Sequence, residues 1–341
     1  MKILQIIAIL LVASIGCSAQ ANGLEKVDSK IETIVNKIAE EDTYKSSAVG
    51  IAGVEPEQWK RYRELKKLAT DKELILLTDH SNGVVRTYSF QALADRKHPK
   101  TYEILKKHLK DNQRIGTYIG CIIGGKTVGD FFLEIANPQY VYDNIYKLTD
   151  QQITEIENIL LHDPEVKLHA RSILLESLEP IESNYKRVRE IFDLENSPHA
   201  LIALSKYNKK SDIEPIRSWL TKKVAKDQYY GLKAVRYFPA PDLFSNLETI
   251  HQQEIIKPTG FNYSKIRMLY LAIVQYRTPE SRQLLEETVT KVKGATLKYH
   301  SKYIWLALMK YPAPIYDGLM GKIVLSESEK KQLQYKVDQA D

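Results

Sequence analysis

Residues Gly120-Cys121-Ile122-Ile123-Gly124-Gly125-Lys126-Thr127 spell G-x-x-x-x-G-K-T. In that pattern loop amides cradle a phosphate, the lysine reaches it and the threonine hydroxyl holds magnesium. Such a loop must leave a buried strand of a parallel sheet, yet the flanks here show no alternation of strand and helix patterns. A glycine-rich connecting loop is expected instead, with no bound cofactor. The eight histidines fall at no metal-ligand spacing, and no metal site is expected. His162 and His169 flank Asp163 and Glu165 on opposite sides of a turn between helices, which suits capping or solvated roles. There is no Gly-x-Ser-x-Gly, and no carboxylate pair stands apart from helix-surface charge, so no catalytic residue is assigned. Cys121 is expected to be a small buried hydrophobe rather than a nucleophile. The 21 tyrosines include Tyr229-Tyr230 and the cluster Tyr299-His300-Ser301-Lys302-Tyr303. They are expected at helix ends with ring buried and hydroxyl wet; the alternative is an aromatic, basic groove that grips a protein or glycan.

The elements that position these residues are set by an internal repeat. Ala307-Leu308-Met309-Lys310-Tyr311-Pro312-Ala313-Pro314 nearly copies Ala234-Val235-Arg236-Tyr237-Phe238-Pro239-Ala240-Pro241, and looser copies begin at Ala92, Ala203 and Ala272. The steps of 31, 38 and 35 residues from Ala203 to Ala307 are those of a two-helix repeat. A small residue lets two helices approach closely, and the following aliphatic residue fills the gap. Val166 to Leu174 overlays Val85 to Leu93 and puts Ile173 in the alanine position. Each helix should end near an aromatic, Tyr207, Phe238, Tyr276 or Tyr311, and the next should start at a cap: Thr278-Pro279, Ser211-Asp212 or Asp242. Thr149 to Gln152 and Ser326 to Glu329 are capping-box patterns. One-sided helices of this kind bury a continuous core only by stacking.

Leu74 to Leu93, with a first helix, an Asn82-containing turn, Val85-Arg86 and Ala92-Leu93, resembles a HEAT repeat, and the likeness covers roughly residues 60–325. It implies an all-α fold, an α-solenoid of roughly six to seven stacked helix pairs with essentially no sheet. The expected organisation is an amphipathic N-terminal helix and loop over 24–58, with 46–54 as the loop, then repeats over 59–325 as one elongated array. Glycines 116, 120, 124, 125 and 129 make 114–138 an irregular segment, and 326–341 is a terminal capping helix.

Residues 1–21 read as a secretory signal peptide, with an apolar run from Ile3 to Ile15 and an Ala19-Gln20-Ala21 cleavage pattern. Two processing routes stay open: cleavage after Ala21, or lipidation at Cys17, for which Ser14 replaces the usual leucine. Either makes the chain exported, periplasmic or secreted, with membrane attachment only through a lipid on Cys17. Cys121 is then the one remaining thiol, so stability must come from apolar burial. A net charge of +6 from 49 basic and 43 acidic residues, without a basic block, argues against a nucleic-acid partner. The expected function is a non-enzymatic scaffold that presents a helical-repeat surface to an envelope-associated protein partner. The alternative is a helical-repeat enzyme, resembling lyases of the HEAT type, with its site near 116–130.

Overall fold

The computed structural model describes residues 27–136, 146–257 and 259–337. Residues 1–21 with Cys17, residues 137–138 of the glycine-rich segment and residues 338–341 lie outside the described residues. The chain is mostly helical, with one small sheet of three strands. In order it forms α1 (Ser29–Glu41), β1 (Thr43–Val49), α2 (Glu57–Leu68), α3 (Asp71–Leu77), α4 (Gly83–Asp95), α5 (Thr101–Lys107), β2 (Arg114–Gly120), β3 (Ile122–Thr127) and α6 (Val128–Ala136). There follow α7 (Asp150–His162), α8 (His169–Ser177), α9 (Glu182–Glu195), α10 (Pro198–Ser205), α11 (Ile213–Leu220), α12 (Ala225–Tyr237), α13 (Phe244–Ile255), α14 (Tyr263–Ile273), α15 (Pro279–Lys291), α16 (Gly294–Lys310) and α17 (Glu327–Val337). By internal contacts the chain divides into two compact units, residues 1–93 with 116–124 and residues 94–115 with 125–341, where the repeat alone suggested one array.

In the first unit α1 buries Ile31, Ile34, Val35 and Ile38 on one face, packed on α2. Tyr62 stacks on Tyr88 at 5.1 Å between centroids, and Tyr44 meets Tyr88 at 4.8 Å. The Tyr88 hydroxyl accepts from Lys45 N and donates to Lys45 O, which fastens β1 to α4; burial holds that phenol well above its ordinary value. Asn82 caps α4 by accepting from Val84 N and Val85 N, and Arg86 returns to the carbonyls of His80 and Ser81.

The sheet corrects two expectations. The order is β1-β2-β3, with β1 and β2 parallel and Thr43 opposite Gly116. Half of the supposed loop 46–54 is therefore strand, and the glycine-rich segment is a hairpin followed directly by α6. Counting glycines concealed a period of two: Ile115 and Thr117 are buried while Gly116 between them and Tyr118 after them are more open, the alternation of a half-buried strand. Gly120, at φ +55°, takes the left-handed turn conformation that a side chain disfavours.

In the second unit, helices pair in chain order: α7 with α8, α9 with α10, α11 with α12, α13 with α14, and α15 with α16. The second helix of each pair packs on the next, α8 on α10, α10 on α12, α12 on α14 and α14 on α16. Ala203, Ala234, Ala272 and Ala307 sit on those second helices, each at most 1% exposed. Gly231 provides the closest approach within a pair, since a Cβ there would stand 2.9 Å from Leu220 N. Ile173 does not share the alanine environment. It is 55% exposed, and α8 instead buries Arg171 and Leu175.

Thr149, Thr278 and Ser326 cap α7, α15 and α17 through reciprocal bonds. Asp212 and Asp242 are not side-chain caps and lie in 3-10 turns. Asp212 is fully buried and accepts from Arg189 Nη1 and Tyr185 OH, each at 3.0 Å. Of the repeat aromatics, Tyr207 donates to Ile181 O and Tyr276 to Ala240 O, both at 3.0 Å, so these hydroxyls tie down neighbouring loops rather than face water. Phe238 and Tyr311 are the C-cap residues of α12 and α16.

Ala272→Leu and Ala307→Leu are each expected to destabilise the protein by ~1–3 kcal/mol, because neither site has room for the added carbons. Leu194→Ala, at a residue 82% exposed, serves as the control and should change stability by less than about 0.5 kcal/mol. Melting midpoints decide: if both leucine variants melt with the parent, the alanines are not at tight contacts.

Candidate functional site

The Gly120 to Thr127 segment cannot form a phosphate cradle here. In a phosphate loop the lysine and threonine begin a helix whose amides point at the anion; here Lys126 and Thr127 lie on β3, and residues 120–125 are the hairpin turn and its strand. The Lys126 ammonium pairs with Glu134. The Thr127 hydroxyl donates to Asp130 Oδ2 at 2.7 Å and accepts from Asp130 N, capping α6 rather than waiting for magnesium. Asp130 in turn accepts from His169 N (3.0 Å) and Ala170 N (2.9 Å), so a carboxylate from α6 satisfies the orphan amides at the start of α8. Cys121 is exposed at the hairpin turn, contrary to the buried role expected of it.

Lys126→Ala is expected to change stability by less than about 1 kcal/mol, because its partner Glu134 is 57% exposed. Magnesium nucleotide should leave the melting midpoints of parent and variant alike. A midpoint that rises with ligand as RT ln(1 + [L]/Kd), and only in the parent, would reinstate the phosphate site.

The charged groups that do converge lie on α8, α10 and α12. A cleft of about 400 Å³ is lined by His169, Ser172, Ile173, Glu176, Ser177, His199, Lys233 and Tyr237. On its floor the Glu176 carboxylate meets His199 Nδ1 at 2.6 Å and Lys233 Nζ at 2.5 Å. Burial alone would raise the Glu176 pKa, but those two partners outweigh it and hold the group at about 2. Lys206 donates to Glu176 O (2.6 Å) and Leu178 O (3.0 Å), so its ammonium closes the C-terminal end of α8. Burial lowers the Lys206 pKa. Arg236 Nη2 donates to the Tyr237 hydroxyl at 2.6 Å. The Glu176 carboxylate is matched by His199 and Lys233 from two other helices.

The polar contacts continue beyond the cleft. Lys265 on α14 pairs with Glu254 on α13 and donates to Gln228 Oε1 at 2.7 Å; Glu254 is fully buried and Lys265 is 4% exposed. His251 Nε2 lies 2.6 Å from Thr288 Oγ1, and His300 Nδ1 lies 2.5 Å from the Tyr270 hydroxyl. Burial pushes both imidazoles down to about 4, so they are neutral at neutral pH.

The tyrosine pairs take different roles. Tyr230 joins His199 at 5.5 Å and Tyr229 at 5.4 Å, bordering the cleft. Tyr299 gathers with Tyr263 and Phe261, whereas its neighbour His300 is fully buried. His162 ends α7 and His169 begins α8, on either side of the turn, as the spacing implied. No group of three or more His, Cys, Asp or Glu arranged to hold a metal occurs among the described residues.

Sequence reasoning missed Glu176, His199 and Lys233, which are separated by 23 and 57 residues from first to second and first to third. No local signal in the sequence marks these three residues, which come together only through the packing of α8, α10 and α12. No protein-family model, curated protein or solved structure matches this chain.

Proposed function

We propose that residues from α7 onward form an α-solenoid of the HEAT-like kind, and that the protein is an exported, non-enzymatic scaffold that presents a helical-repeat surface to a protein partner. One observation carries this reading: α8, α10, α12, α14 and α16 each pack on the next, the side-by-side stacking by which helical repeats build a continuous core. The cleft over α8, α10 and α12 lies on that run, with polar groups whose charges are already paired. Such a surface recognises a partner by shape and hydrogen bonding rather than by chemistry. The enzyme alternative near 116–130 draws no support from the hairpin, whose turn and first β3 residues stand in solvent, or from Asp130, which is committed to capping α8. Export rests on the sequence of residues 1–21.

The test is site-specific photocrosslinking in intact cells. A photoreactive residue at Ser172, in the cleft, should yield a discrete adduct with one protein, and the same residue at the exposed Glu214 on α11 should not. Equal adducts at both positions, or none at Ser172, would refute the reading, and recovery of the chain from the cytoplasmic fraction would refute export.

A further inference from the structure

Several of the most exposed aliphatic side chains lie together at one end of the small sheet, all within the first unit. Ile51 is 100% exposed, Ile123 78%, Ile122 75%, Val54 61% and Ile119 36%. They belong to two turns held side by side. Val49 and Val54 exchange backbone bonds of 2.9 and 3.0 Å that close the turn carrying Ile51, and Gly50 N donates to Gly120 O at 2.9 Å, joining that turn to the tip of the hairpin. Neither stretch carries charge. Residues 46–54 and 115–125 contain no Asp, Glu, Lys or Arg, and the first charged residues beyond them are Lys45, Glu55, Arg114 and Lys126, three of four basic.

Isolated apolar residues on a surface are ordinary, but a contiguous uncharged tip is an interaction site or a liability. Its geometry selects the occupant. Ile122 and Ile123 are neighbours on one strand, so their side chains leave on opposite faces, and both are open. A protein docking on the hairpin would cover one face and leave the other wet. Hydrocarbon surrounds an inserted tip on every side, and the basic flanks suit the headgroup level. No helix among the described residues is long and apolar enough to cross a membrane.

We propose that the double turn, with Ile51, Ile119, Ile122 and Ile123, inserts into the surface of a lipid bilayer as a membrane contact that does not depend on lipidation of Cys17. Apolar transfer drives it, and charge adds less, because Lys45 is already paired with Glu41 at 2.6 Å and Lys126 with Glu134. The tip is built to hold the first unit at a membrane surface, independently of the partner surface proposed above.

Cys121 places a reporter at the tip. In the full chain carrying Cys17→Ser, an environment-sensitive fluorophore on Cys121 should brighten and shift to the blue with phosphatidylcholine vesicles, and shallow spin-labelled lipids should quench it. Anionic phosphatidylglycerol in the vesicles should strengthen the response only modestly. Ile122→Asp/Ile123→Asp should weaken the vesicle response about tenfold or more. Its circular dichroism should match the parent, since both residues are exposed; Ile51→Asp, in the other turn, is the second variant and should weaken it likewise. A fluorophore that stays in water with vesicles overturns the proposal, as does an equal response from the aspartate variants. A blue shift that grows with protein concentration without lipid overturns it too, and assigns the tip to a second copy of the chain.

Discussion

Acidification from pH about 6.5 to about 4 is expected to remove on the order of 3 kcal/mol of stability for each of His251 and His300. Both side chains are at most 1% exposed, and both imidazoles titrate near 4 in the folded chain against 6.5 when unfolded. Between those values the unfolded chain binds protons that the folded chain refuses. The stabilisation is therefore complete above the unfolded value and is lost as pH falls through the folded one. Burial is the main cause for both; the neighbouring His300 lowers His251 further, and the Glu254 carboxylate offsets part of the effect at His300. His251 Nδ1 has no hydrogen-bond partner, so a proton added there enters a buried, unmatched position. Melting midpoints measured across the window should fall steeply for the parent. His251→Asn/His300→Asn should start lower at neutral pH and vary less. An equally steep profile in the double variant would refute the assignment to these two imidazoles; depressed carboxylates such as Glu176 and Glu254 begin to lose their contribution only below the ordinary value of 4.5 and lose it fully only at more acid pH, beneath most of this window.

Lys265→Met is expected to cost about 3–5 kcal/mol, the range for removing one partner of a buried ion pair. Burial favours the neutral form of Glu254, but hydrogen bonds from Lys257 and Lys265 overcome that and keep its pKa below the ordinary value. Lys257 is 39% exposed and solvated, whereas Lys265, 4% exposed, shares the interior with the carboxylate. Without it, Glu254 must stay ionised with too few donors or take up a proton, and Gln228 Oε1 loses its donor as well. Glu254→Leu/Lys265→Met removes both charges and should recover most of the loss, because the desolvation penalty leaves with them. Denaturant midpoints distinguish the cases. A loss below about 1 kcal/mol for the single variant would mean that water screens the pair, which contradicts its burial.

Much of the helical layout could be read without coordinates. The boxes at Thr149, Thr278 and Ser326 act through bonds spanning three residues, so local spacing was enough to place the starts of α7, α15 and α17. The same holds for the one-sided face of α1. Local signals failed where a residue had a distant competitor. Asp212 had the type of a cap, but Arg189 and Tyr185 draw it into the interior. Ile173 fitted the repeat register, yet α8 turns Leu175 inward instead.

The sequence by itself determined much of the helical layout and where small residues let helices meet, because these depend on composition within a few residues. Its reason for rejecting a phosphate loop did not hold, since strand β2, parallel to β1, leads into Gly120 to Thr127 and α6 follows it; it is the extended β3 conformation of Lys126 and Thr127 that departs from such a loop. The β2–β3 hairpin is local, and its period of two was concealed by the glycines. Only the tertiary structure decided that β2 pairs in parallel with β1 some 70 residues earlier, since the register of Thr43 opposite Gly116 leaves no trace in either stretch alone. The same reason governs the site. Glu176, His199 and Lys233 acquire their charge balance from packing α8, α10 and α12 side by side, and a sequence records each residue but not the 2.5 to 2.6 Å that joins them.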